Sequence, residues 1–147
     1  MRFLAVTWWT YIALLLRSFG NALGWHAAYQ GAVSGLTRAL ARSPESAQLL
    51  FWRGTLYWRE LREPALGEAD LSRAIELAPK LARAHLNRAF ARLELAPPDR
   101  AGAVADMQAY LALDQDPYWR GVVGEYLQEM GQERVEEPPE QGAEEKP

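Results

Sequence analysis

The side chains best suited to acid–base chemistry in this sequence are two histidines and one pair of glutamates. His85 lies in a predicted helix with arginines nearby, and no candidate nucleophile accompanies it or His26. Glu125 and Glu129 lie one helical turn apart, which is the ordinary spacing on a solvated helix face. We therefore predict that the chain has no catalytic residues and is not an enzyme.

Motifs for cofactors and metals are also missing from the sequence. There is no cysteine, and two histidines are too few for an all-imidazole metal site. No G-x-S-x-G, H-E-x-x-H, P-loop or G-x-G-x-x-G motif occurs, and GAVSG at 31–35 has the wrong spacing. We predict no metal and no cofactor. The isoelectric point of about 5.4 argues against a nucleic-acid partner.

The composition favours an all-α fold in one domain. Its 24 Ala and 21 Leu far exceed the 12 Val, Ile and Thr residues together. Helices are predicted at about 3–25, 28–42, 44–62, 64–78, 79–96, 99–114 and 117–130. Pro44, Pro79 and Pro117 are each predicted at a first helical position, with Ser43 and Asp116 as N-caps.

The N-terminal residues form an apolar extension. Residues 3–16 carry no charge, which leaves three interpretations: a helix packed on the core or on a partner, a membrane anchor, or a cleaved signal peptide. Two features favour an anchor or shallow insertion at an anionic membrane face: Trp8 and Trp9, and the acid-free, arginine-bearing stretch 1–44. We predict a cytoplasmic protein with membrane contact through residues 3–25. The alternative is export with an N-terminal signal or anchor.

The C-terminal residues form an acidic tail. Residues 131–147 contain six Glu against Arg134 and Lys146, and they have almost no apolar content. Such a segment buries too little surface to offset the entropy of ordering, so we predict that it is disordered.

A repeat of about 35 residues organises the rest of the chain. Pro44, Pro79 and Pro117 are 35 and 38 residues apart, and each follows an Ala by five residues. This pattern resembles the tetratricopeptide repeat. The second copy matches it at these positions: Leu50, Gly54, Tyr57, Gly67, Leu71, Ala74 and Pro79. Two departures are Arg53, where Leu is usual, and Arg92, where Tyr is usual.

The resemblance implies an all-α right-handed superhelix of three helix pairs with a capping helix. The extension would span 1–12 and the repeat domain 13–130, with repeats at about 13–46, 47–81 and 82–119 and a cap at 117–130. Small residues at Gly20, Gly54 and Ala89 would let the helices of each pair approach closely.

The resemblance also implies a concave groove lined by the first helix of each pair. Its inner positions here would be Arg17, Asn21, Phe51, Thr55, Trp58, Arg83, Asn87 and Phe90. Some family members bind a peptide carboxylate with a Lys/Asn/Asn/Lys/Arg clamp, which Arg17, Asn21 and Arg83 match. Trp52 and Asn87 do not match it. The aromatic residues favour an apolar peptide or helix, unless they serve packing alone.

Two functions agree with these features. The first is a non-catalytic protein-interaction scaffold that binds a protein or peptide partner in the groove and is tethered at a membrane. The alternative is a structural subunit of a larger complex, docked through its apolar N-terminal helix.

Overall fold

The computed structural model describes residues 24–114 and 116–136, and all regular structure within them is helical. Helix α1 covers residues 24–42 of this part. The helices that follow are α2 (Ala47–Arg59), α3 (Pro64–Leu77), α4 (Ala82–Leu93), α5 (Arg100–Leu113) and α6 (Pro117–Glu136). The predicted all-α class is confirmed. The predicted extension 1–12, Arg17 and Asn21 lie outside the described residues.

Local signals set most helix starts. Pro64 begins α3, and the Asp116 carboxylate accepts hydrogen bonds from the backbone N–H groups of Tyr118 and Trp119 at the start of α6. The predicted start of α2 is wrong: Ser46, not Ser43, is its N-cap. Pro79 likewise precedes α4 in a turn, because α4 begins only at Ala82.

Two predicted helix boundaries also differ from the structure. Residues 24–42 form one continuous helix, so the predicted break at 26–27 is wrong. Helix α6 continues to Glu136, past the predicted end of the cap at 130. In both places no Pro stops the helix, and the neighbouring glycines are tolerated within it.

Buried apolar residues form a core that follows the array of helices. One cluster, formed by Leu40, Leu50 and Ala74, joins α1, α2 and α3. A second cluster joins α4, α5 and α6, and it consists of Leu86, Ala89, Ala103, Met107, Tyr110, Val123 and Met130. The two helices of each pair thus pack on each other and on an adjacent helix of the array, as expected for stacked repeats. No helix in the described ranges has the length and apolar character needed to span a bilayer.

Glycines occupy the crossing of α2 and α3. A Cβ atom at Gly54 would lie 2.9 Å from Cγ of Leu71 and 3.0 Å from the carbonyl oxygen of Gly67. A Cβ atom at Gly67 would lie 2.7 Å from Cβ of Trp58. The two helices can therefore approach this closely only because neither position has a side chain.

Arginine–aspartate pairs join α2 to α3 and α4 to α5. Arg53 donates two hydrogen bonds to Asp70, at 2.6 and 2.7 Å, and Arg88 donates two to Asp106, at 2.8 and 2.6 Å. These bonds to the carboxylates raise the pKa of both guanidinium groups above the ordinary value, against the opposing effect of burial. Arg53 thus supplies an ion pair where the repeat pattern usually has Leu.

Each of these arginines also contacts the preceding repeat. Arg53 donates to the Thr37 hydroxyl of α1 at 3.1 Å, and Arg88 donates to the Ser72 hydroxyl of α3 at 3.0 Å. Each guanidinium therefore joins three helices of two repeats. We call the series of hydroxyl, arginine and aspartate the polar ladder, with Thr37, Arg53 and Asp70 in one rung and Ser72, Arg88 and Asp106 in the next.

Arg92 adds further bonds to the second rung. It lies 3.0 Å from Asp106, 3.1 Å from Glu68 and 3.4 Å from Asp99. In place of the Tyr usual in the repeat pattern, Arg92 is a cation that joins α3, α4 and α5. One of its partners, Asp99, is also the N-cap of α5. Asp106 is 3% exposed, so this network compensates a buried carboxylate.

Replacing Gly54 with Ala is expected to lower the free energy of unfolding by about 1–3 kcal/mol, because its Cβ overlaps backbone and side chain of α3. Gly124→Ala is the matched control, since a Cβ there meets nothing within 4 Å. It should raise stability by about 0.5 kcal/mol through helix propensity. Urea denaturation of both variants checks this. Equal stability of Gly54→Ala and the natural chain would contradict the close crossing.

Asp70→Asn is expected to cost about 3 kcal/mol, because it leaves the guanidinium of Arg53, 20% exposed, without its counter-charge. Glu76→Gln is the control: its ion pair with Arg73 is equally short, at 2.7 Å, but exposed, and should contribute under about 1 kcal/mol. The double variant Arg53→Leu/Asp70→Ala should recover most of the loss. The free energy of unfolding of each variant is measured by urea denaturation. Equal losses for Asp70→Asn and Glu76→Gln would show that the Arg53–Asp70 pair contributes no more to stability than an exposed ion pair.

Candidate functional site

A concave groove of about 340 Å³ lies between α2 and α4 and is closed by α5 and α6. Its position follows from two faces with the same spacing, since 51, 55 and 58 on α2 and 83, 87 and 90 on α4 each follow an i, i+4, i+7 pattern. The residues that line it are Phe51, Thr55, Trp58, Arg59, Arg83, Leu86, Asn87, Phe90, Tyr110 and Trp119. The six predicted positions on α2 and α4 therefore meet in one groove.

Aromatic rings make up much of the groove wall. The rings of Trp58 and Phe90 stack across the two helices, with centroids 6.0 Å apart and planes 22° apart. The Tyr126 ring of α6 meets Phe90 edge-on at 5.3 Å. These pairs stabilise the wall and leave an apolar surface that is partly exposed to solvent.

A short polar chain crosses the middle of the groove. The Asn87 amide donates to the Thr55 hydroxyl at 2.8 Å, and that hydroxyl donates to the Phe51 carbonyl oxygen at 2.7 Å. These bonds fix α2 and α4 relative to each other at the level of the groove.

The charge of the groove is positive. Arg59 and Arg83 line it, and no Asp or Glu does so. Arg59 is paired with Glu60 at 2.7 Å, whereas Arg83 is exposed and forms no ion pair within the described ranges. Arg83 is therefore free to bind an anionic group.

Two hydrogen-bond donors in the groove lining are buried without an acceptor among the described residues: Trp58 Nε1 and the Tyr110 hydroxyl. Burial, and next the Asp114 carboxylate, raise the pKa of Tyr110 to about 12. The Asp114 carboxylate is close enough to raise the pKa of Tyr110, but the hydroxyl does not donate a hydrogen bond to it.

Four lining residues are not among the predicted ones: Arg59, Leu86, Tyr110 and Trp119. Arg59 lies next to Trp58 on α2, and Leu86 lies next to Asn87 on α4. A prediction that took a wider face of each first helix would have included both. Tyr110 lies on the second helix of its pair and Trp119 on the cap, and a rule restricted to first helices excludes both. Trp52 is 50% exposed and is not part of the lining.

The residues considered for acid–base chemistry either make structural contacts or lie on the exposed surface. His85 Nε2 lies 3.0 Å from the Pro79 carbonyl oxygen, and Nδ1 lies 3.4 Å from Asp106 in the polar ladder. Glu125 and Glu129 are exposed on α6. Within the described ranges, no group of three or more carboxylate or imidazole side chains is placed to bind a metal.

The stacked pairs, small residues at the crossing and concave groove define a tetratricopeptide-repeat fold, as the residue pattern predicts. The first tetratricopeptide domain of Spaghetti (RPAP3), solved with the HSP90 peptide SRMEEVD, is similar at 24% identity and a TM-score of 0.65, over 84% of this chain and 93% of that one. The first such domain of human RPAP3 is similar at 24% identity and a TM-score of 0.63, over 84% and 92%. No protein-family model and no curated protein matches the sequence.

Tyr110→Phe is expected to change stability little at neutral pH, because the hydroxyl it removes has no partner. The unfolded phenol loses its proton near pH 10, whereas the folded one holds it to about 12. The folded state therefore binds more protons in this interval, and stability falls as pH rises above about 10.

The Phe variant should accordingly lose less stability between neutral pH and about pH 11 than the natural chain, measured by urea denaturation at each pH. Tyr118→Phe, at a residue that is 70% exposed, should leave the alkaline loss unchanged. An identical alkaline loss in Tyr110→Phe and the natural chain would contradict the buried phenol.

Proposed function

We propose that this chain is a non-catalytic protein-interaction module that binds a peptide or helix of a partner protein in the groove. The observation that carries this proposal is the convergence of Phe51, Trp58 and Phe90 with the unpaired Arg83 in one concave site. Aromatic and arginine side chains are the types that most often dominate binding energy. The partly exposed aromatic wall has apolar surface that a bound ligand would bury.

A further observation supports a peptide ligand. A domain of the same fold was solved with a bound peptide, so the architecture has room for one.

Two other functions predicted from the sequence, membrane tethering and docking into a larger complex, concern mainly residues that the structure does not describe. Membrane contact through residues 3–25 depends mainly on them, as does docking into a larger complex through the N-terminal helix. Within the described ranges no feature favours either of these over groove binding, so groove binding is the function we propose.

The test is selection of randomised displayed peptides on the full-length chain, followed by affinity measurements with variants of the groove. Phe51→Ala, Trp58→Ala and Arg83→Ala are each expected to weaken the selected peptides by about 2 kcal/mol, or roughly thirtyfold. Trp52→Ala is the matched control, because it removes an exposed aromatic ring next to Phe51 outside the groove. It should bind like the natural chain.

Thermal melting monitored by circular dichroism confirms that each variant is folded before its affinity is compared. If no peptide is enriched, or if folded Phe51→Ala and Trp58→Ala bind the selected peptides as well as Trp52→Ala does, the groove is not the binding site.

A further inference from the structure

The hydrogen bonds in the groove fix which way the Asn87 amide faces. The Thr55 hydroxyl has one proton and donates it to the Phe51 carbonyl oxygen at 2.7 Å. It can therefore only accept from Asn87, whose Nδ2 lies 2.8 Å away. The NH₂ group must face Thr55, and the Oδ1 atom is left as an acceptor with no donor among the described residues.

Arg83 lies one helical turn before Asn87 on the same face of α4, about 5–6 Å away along the helix. The groove thus offers a ligand one acceptor oxygen and, a turn away, one cation without a counter-ion. Phe90 lies a further turn along α4, where it stacks on Trp58. In order along α4, the site presents a cation, an acceptor and an aromatic surface.

This order is complementary to a particular ligand chemistry. An acceptor oxygen repels a carboxylate and binds an N–H group, so the middle of the groove is suited to a peptide main chain. A lone guanidinium pairs with one Asp or Glu side chain. A C-terminal carboxylate held at the centre would need several convergent donors, and one of the two N–H donors of the Asn87 amide is already directed to Thr55.

We propose that the groove recognises an internal stretch of extended peptide, without requiring a free C terminus. A main-chain N–H of the ligand donates to Asn87 Oδ1, and a neighbouring Asp or Glu side chain pairs with Arg83. An aromatic or large aliphatic side chain packs on the Trp58–Phe90 stack. This assignment rests on the proposed function and adds the class of ligand to it.

The experiment uses a positional library of short acetylated peptides, made once with a free C-terminal carboxylate and once with a C-terminal amide, and the full-length chain. Both forms are expected to bind equally well and to select an acidic residue within a few positions of an aromatic or large aliphatic one. Arg83→Gln should reduce the preference for the acid by at least about tenfold and keep the apolar preference. Arg73→Gln, at an exposed arginine on α3 outside the groove, should keep both preferences.

A second measurement isolates the bond to Asn87. In the tightest amidated peptide each main-chain N–H is methylated in turn, and one position is expected to cost about tenfold in affinity. That penalty should vanish in Asn87→Ala, which is checked for folding by thermal melting. A merely structural role of Asn87 would lower the affinity of all peptides alike and leave the penalty in place, which would overturn the assignment.

The other outcomes separate this inference from the proposed function. If only the free-carboxylate form binds, or no acidic preference appears, the internal-peptide assignment is wrong while groove binding stands. If neither form binds, or binding is unaffected by Trp58→Ala, the proposed function and this inference fail together.

Discussion

The bidentate pairing of an arginine on one helix with an aspartate on the next determines how the repeats of this chain are held. Arg53 meets Asp70 and Arg88 meets Asp106 at the level where each pair of helices crosses. Burial of these charges is tolerated only because each finds its partner and further hydrogen bonds. The pairing therefore selects one orientation of the two helices, which apolar contact alone would specify less strictly.

The same pairing positions the groove. Asp70 lies at the close crossing, beside Gly54. Trp58 lies one turn further along α2, with its Cβ against Gly67. Contact of α2 with α3 therefore holds the base of the Trp58 side chain, which is one half of the aromatic stack. On the other side of the groove, Arg88 lies between Asn87 and the buried Ala89, so the second rung holds α4 in the rotation that presents Asn87 to the groove.

The sequence allowed the groove to be predicted better than the ladder. The resemblance to the tetratricopeptide repeat places Phe51, Trp58, Arg83, Asn87 and Phe90 at the groove, because it assigns one face of each first helix to that surface. The role of Arg53 depends on a carboxylate 17 residues away, so the repeat pattern marks it only as a departure from Leu. Tyr110 and Trp119 enter the site through tertiary packing, which the face of a first helix does not contain.

The hydroxyl contacts of the ladder have a consequence for the energetics of the whole array. Because Arg53 and Arg88 each bond to the preceding repeat as well as to their own, the folding of neighbouring repeats is coupled. The groove is built from two of these repeats, so it exists only while both are folded together. A ligand that occupies it would therefore act as a clamp across a repeat boundary, and would lengthen the distance over which unfolding is cooperative.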